Sequence, residues 1–129
     1  MTNIIRKNPK QVPDPVGLYS HITKIPKDAD LFVLSGQIGT EINGNIPILF
    51  NEQVCNTLQN IQKILNSENL QPENIIKVNI WSVEEIDWTY FYEQWKNLFK
   101  DDYPSMTVGY IDALGLPEIK IEIEIWAAK

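Results

Sequence analysis

The chain has 129 residues, 43% of them apolar, with 17 acidic against 11 basic side chains and a formal net charge of -6. That length fits one compact unit with a real core, and since no stretch gathers Lys and Arg into a stripe, nucleic acid is excluded as the expected partner. A lone cysteine, Cys55, rules out an internal disulfide framework. No apolar N-terminal segment precedes a small-residue cleavage site, and no apolar run approaches the roughly 20 residues of a membrane helix, so a soluble cytoplasmic protein is expected.

Residues 1–15 are polar, carry Pro9, Pro13 and Pro15, and read as an extended lead-in segment in which little chemistry should sit. GLYSHITKI, Gly17 to Ile25, alternates over a short range and is expected to form a hairpin with LFVLSGQI, Leu31 to Ile38. The unbroken apolar start of the latter reads as a central strand buried on both faces. After a loop with Gly39, Asn43, Gly44, Asn45 and Pro47, a helix is predicted from Asn51, a candidate N-cap. Val54, Leu58, Ile61 and Leu65 recur there at helical spacing and mark its core-facing stripe.

Ser67 to Asn74, with Pro72, ends that helix before NIIKVNIWS, Asn74 to Ser82, which is rich in β-branched residues and reads as a strand. Trp88, Tyr92, Trp95 and Phe99 keep helical spacing in a second helix. MTVGYIDAL, Met106 to Leu114, and IKIEIEIWA, Ile119 to Ala127, then read as two strands joined by a short turn with Gly115 and Pro117. The order β-β-α-β-α-β-β predicts an α+β mixed sheet with right-handed crossovers and both helices on one face. The other face lacks a cover within the chain, so burial against further copies, and hence an oligomer, is expected.

Candidate sites are few. Cys55 borders the apolar stripe of the first helix, where a thiol packs as a small hydrophobe, and His21, the only histidine, reads as a surface or interface residue. One His and one Cys make no ligand set, and no carboxylates recur at metal-loop spacing, so neither a metal nor a cofactor is expected. SGQIG, Ser35 to Gly39, lacks the GK[ST] of a phosphate loop. It reads as a strand end where Gly permits close backbone approach, or as a small-ligand site offering the Ser35 hydroxyl and the Gly36 amide. In the last strand Ile119, Ile121, Ile123 and Ile125 share one face, and Lys120, Glu122, Glu124 and Trp126 the other. Glu122 lies mid-strand and, if its face is covered, needs a partner or a raised pKa, whereas Glu124 reads as structural or interfacial.

Taken together, GLYSH, LFVLSGQIG, the helix with Gln53 and Asn60, IIKVNIWS, the helix opening on Asp87-Trp88, YPSM and LPEIKIEIEIWA resemble the Rid family, also called YjgF, over nearly the whole chain. Its members are reactive-intermediate (enamine/imine) deaminases and their non-deaminating relatives. The resemblance implies a single Rid-like domain over 1–129, a chorismate-mutase-like fold, and a homotrimer with small-molecule clefts between adjacent subunits. It also implies that Glu122 stands where active members keep the glutamate that positions the attacking water, that Tyr19 is the site tyrosine, and that Ser35 and Gly36 line the pocket. In those members a proline is followed two residues later by an arginine that clamps the substrate carboxylate. Here Pro104-Ser105-Met106 puts Met106 at that place, and Tyr92 takes a helix position often held by asparagine.

A thioether cannot imitate the bidentate guanidinium. Arg6, the chain's only arginine, lies in the lead-in, and Lys120, the cation closest to Glu122 in sequence, shares its face and would neutralise it. The expectation is therefore a trimer that binds a small metabolite of low charge through Tyr19, Ser35, Gly36, Tyr92 and Met106, without ordinary 2-imino acid deaminase activity. One alternative is hydrolytic deamination by Glu122 despite Met106; another is a non-catalytic, partner-binding or chaperone-like trimer. Ribonuclease activity, attributed to members of the family, conflicts with the acidic balance.

Overall fold

A computed structural model of the chain describes residues 3–129. The elements, in order, are β1 (Ile5–Lys7), β2 (Ile22–Lys24), β3 (Leu31–Val33), α1 (Phe50–Ser67), a 3-10 turn (Pro72–Asn74), β4 (Ile75–Ser82), α2 (Trp88–Phe99), β5 (Ser105–Tyr110) and β6 (Ile121–Ala128). β3, β6, β4 and β5 form a mixed sheet in that spatial order: β4 and β5 run parallel through the α2 crossover, and β6 is antiparallel to both β3 and β4. Val54, Leu58, Ile61 and Leu65 of α1 and Phe91, Trp95 and Phe99 of α2 pack with Val78, Ile80, Ile121, Ile123 and Ile125, so both helices lie on one face, as the α+β pattern predicts.

The helices follow their sequences closely. α2 starts where Asp87 accepts a hydrogen bond from the Tyr90 amide, a side-chain cap that satisfies one of the helix's free N–H groups. Phe91 joins the predicted aromatic stripe and is fully buried like Trp95, while Tyr92 and Trp88 sit at the stripe's margin. α1 begins at Phe50, ahead of the expected N-cap. Leu49 occupies the capping position without a side-chain bond, and Asn51 instead reaches the Asp87 carboxylate at 3.3 Å.

Three strand expectations are corrected. The hairpin between Gly17–Ile25 and Leu31–Ile38 does not form: β2 pairs with β1 in a separate two-stranded ribbon, and β3 pairs with the C-terminal strand. The reciprocal Asp30 and Lys129 backbone bonds, 2.9 and 3.0 Å, start that second pairing and draw the chain away from β2. β3 is an edge strand, not a central one. Phe32 packs on the core, but Leu31 and Val33 are 58% and 60% exposed. β5 and β6 are not neighbours either, because β4 lies between them.

The lead-in is also more than an extended tail. β1 carries Arg6, whose side chain is 2% exposed and donates to the carbonyls of Pro72, Ile75 and Asp102, at 3.1 Å and 2.8 Å for the first two. Its guanidinium lies 5.6 Å from the centre of the Phe99 ring and 3.6 Å from the Asp102 carboxylate. Burial lowers the Arg6 pKa, and Asp102 and Glu73 pull it back up. No helix among the described residues is long and apolar enough to cross a membrane.

Candidate functional site

The strap that connects β1 to β2 is tied down at its C-terminal end. The Ser20 amide and hydroxyl donate to the carbonyls of Pro104 and Tyr103, at 3.1 and 2.6 Å, Thr23 and Ser105 share a 2.7 Å hydroxyl bond, and the Trp95 indole donates to Leu18 O at 3.0 Å. These bonds set Gly17 and Tyr19 against the start of α2 and against β5. The result is a cleft of about 520 Å³. Val16, Gly17 and Tyr19 form one side, Trp88 and Tyr92 of α2 a second, and Met106, Thr107 and Val108 of β5 the third. The rings of Trp88 and Tyr92 are 5.1 Å apart and tilted by 40°. Gly17 lets the strap approach this wall closely, because a Cβ there would force the Tyr92 hydroxyl to shift. Among the described residues no charged side chain lines this cleft.

A second group forms on the other side of the sheet. Beyond β3 the chain stays beside β6: Leu34 N donates to Ile125 O, and Gln37 and Ile123 exchange backbone bonds of 2.8 and 2.9 Å. This holds Gly36 against Glu122 so closely that a Cβ at position 36 would overlap the carboxylate. Ser35 is exposed beside it. Glu122 is partly buried and makes no hydrogen bond or ion pair with the described residues. Glu124 accepts a hydrogen bond from the Trp81 indole. Lys120 pairs with Glu84 at 3.4 Å, so it does not neutralise Glu122 as expected.

The second group rests on α1 anchors. Gln53, fully buried, donates to the carbonyls of Pro47 and Glu118 and accepts from the Lys120 amide, each within 3.0 Å, which fixes the run into β6. Asn60 donates to the carbonyls of Ile38 and Thr40, and Gly39 approaches the α1 backbone so closely that a Cβ would lie 2.6 Å from Gln53 O. This is the close backbone approach expected of SGQIG.

A family model described as Endoribonuclease L-PSP matches residues 9–129. The chain belongs to this family, known also as Rid or YjgF. A RutC family protein of Aquifex aeolicus is 34% identical over 125 residues, covering 95% of this chain and 97% of that one. RutC family protein BU371 of Buchnera aphidicola is also 34% identical, over 93% and 94% of the two chains. The crystal structure of the Rid family protein YyfB from Yersinia pestis, titled as of unknown function, superposes with a TM-score of 0.89 at 21% identity, over 98% of this chain and 99% of that one. A YjgF/YER057c/UK114 family member from Mycobacterium tuberculosis gives 0.65 at 21% identity over 86% of each chain. At such identities the superpositions show the Rid fold.

In this Rid chain the six candidate residues split. Tyr19, Tyr92 and Met106 meet in the uncharged cleft, whereas Ser35, Gly36 and Glu122 lie elsewhere. Met106 sits beside Val78 in register and Glu122 beside Trp81, three residues on, so the two are on opposite faces of the sheet and two strands apart. His21 is structural: its Nε2 donates to Pro13 O at 2.8 Å, its amide donates to Asn8 Oδ1, and its ring meets Tyr19 edge-on at 5.9 Å. Cys55 lies away from both groups, in a groove between α1 and α2, with Gln59 donating to its sulfur. Desolvation first, and then Cys55, raises the Tyr90 pKa. Among the described residues no three His, Cys, Asp or Glu side chains are grouped to hold a metal.

Proposed function

We propose that this Rid protein is a homotrimer that binds a small metabolite in clefts between adjacent subunits and lacks ordinary 2-imino acid deaminase activity. In this arrangement the Met106 half of each cleft, with Tyr19 and Tyr92, comes from one subunit. The Glu122 half, with Ser35 and Gly36, comes from the next. The observation that carries the reading is the lining of the first half: an aromatic and thioether surface with no cation. A carboxylate entering it would be desolvated without a partner, which costs several kcal/mol. Arg6 does not supply the missing charge, because its guanidinium is already spent on backbone carbonyls.

The second reading, hydrolytic enamine or imine deamination, draws support from the Glu122 carboxylate, which has no partner among the described residues and could hold a water. In it Glu122 takes a proton from the water as the water attacks the imine carbon and passes it to the nitrogen of the carbinolamine; ammonia leaves and a carbonyl compound remains. Imines freshly generated by an amino-acid oxidase separate the two. The first reading expects wild type and Glu122→Gln to match the uncatalysed rate, and robust turnover that Glu122→Gln abolishes would replace it with the second. Ribonuclease action, suggested by the family description, fits poorly with a net charge of -6.

A further inference from the structure

We infer that the cleft beside Met106 selects an uncharged ligand that carries a flat aromatic ring; this assigns a ligand class to the site proposed above and rests on that reading. Three observations converge. The tilted Trp88 and Tyr92 rings form a broad apolar wall, and Tyr19 faces the same space from the strap, so a planar ring is offered aromatic surface from two elements. Met106 adds a polarizable thioether, which pairs favourably with ring edges. The cleft's volume, about 520 Å³, falls in the range that holds a bicyclic ring system.

Polar capacity at the cleft is limited and neutral. The Tyr19 hydroxyl already accepts from the Val16 amide at 3.3 Å and keeps its own O–H to donate, and Thr107 is taken by the Lys77 ammonium at 2.9 Å. Lys77 meets the lining through that Thr107 hydroxyl. It sits on the face of the sheet opposite Met106. Glu93 and Lys96 lie across the Trp88–Tyr92 wall, in a separate recess. A neutral amide, imine or hydroxyl beside the ring would therefore find its partner in the Tyr19 O–H, whereas an anionic group would have that one neutral donor and no cation to offset its desolvation.

The chain has two methionines, Met1 and Met106, so a methyl-labelled sample gives Met106 as a single internal reporter. Titration with indole-3-acetamide is expected to shift the Met106 methyl by ring current. Indole-3-acetate should bind at least about tenfold more weakly, and the ringless propanamide should leave the signal in place. Trp88→Leu, with an unchanged circular dichroism spectrum, should weaken the amide about tenfold, and Met106→Arg, which lacks the reporter methyl and is read by calorimetric titration, should reverse the preference toward the acetate. Equal or tighter binding of the acetate by wild type, lost in Lys77→Met, would overturn the inference, as would propanamide shifting the methyl as far as the indole amide does. The outcome is separable from the subunit reading. A monomer that keeps the amide preference contradicts the trimer and leaves the ligand class standing; a trimer that prefers the acetate does the reverse.

Discussion

Gly36 and Glu122 show how one residue choice constrains another. The carboxylate occupies the space where any Cβ at position 36 would stand, so Gly36→Ala must push Glu122 aside or bend the segment away from β6. A loss of about 1–3 kcal/mol is expected, in the range for overpacking, and a urea titration against wild type measures it. Arg6 offers a second test. Arg6→Ala removes a buried cation and leaves several carbonyls short of a donor, and about 3 kcal/mol should be lost. Arg6→Lys should recover only part, because an ammonium does not reproduce the fork. The place of Glu122 on the face opposite the isoleucines was legible from alternation. Arg6 and Gln53 were not, because their partners are main-chain carbonyls and amides distant in sequence, which carry no side-chain signature.

The two helices and the last strand show their periods plainly, and each is found within a few residues of its expected bounds. Their apolar stripes meet one another in the core, so pattern and packing agree. The short strands were misread because β2 and β3 are only three residues long. At that length the partner is chosen by contacts outside the strand, here β1 and the Asp30–Lys129 backbone pair. Two predictions belong to this scale. Trp95→Ala should cost about 3–5 kcal/mol, since the ring is fully buried between Phe91 and Phe99 and its indole anchors the strap at Leu18. Asp87→Ala should cost about 1 kcal/mol through the lost cap. Calorimetric melting of both variants checks the order and the size.

Over the whole molecule, the sheet is covered on one face only. Leu31, Val33 and Trp126 stand exposed on or beside the other, with Glu122 and the Trp81–Glu124 pair between them and β5. An apolar, partly charged face of this kind is costly to leave in water, and the proposed trimer buries it against neighbouring copies. Val33→Glu is expected to yield a folded monomer by sedimentation. The sequence could foresee that a face lacked its cover, but not which residues would meet across it, because in the proposed trimer those residues belong to different chains. The decisive measurement is a crystal structure of the assembled protein soaked with indole-3-acetamide. A three-fold assembly is expected, with the indole against Trp88, Tyr92 and Met106 and the amide directed to Glu122 of the adjacent subunit. A Glu122 sealed away from the cleft, or a neighbouring lysine or arginine reaching in beside Met106, would contradict it.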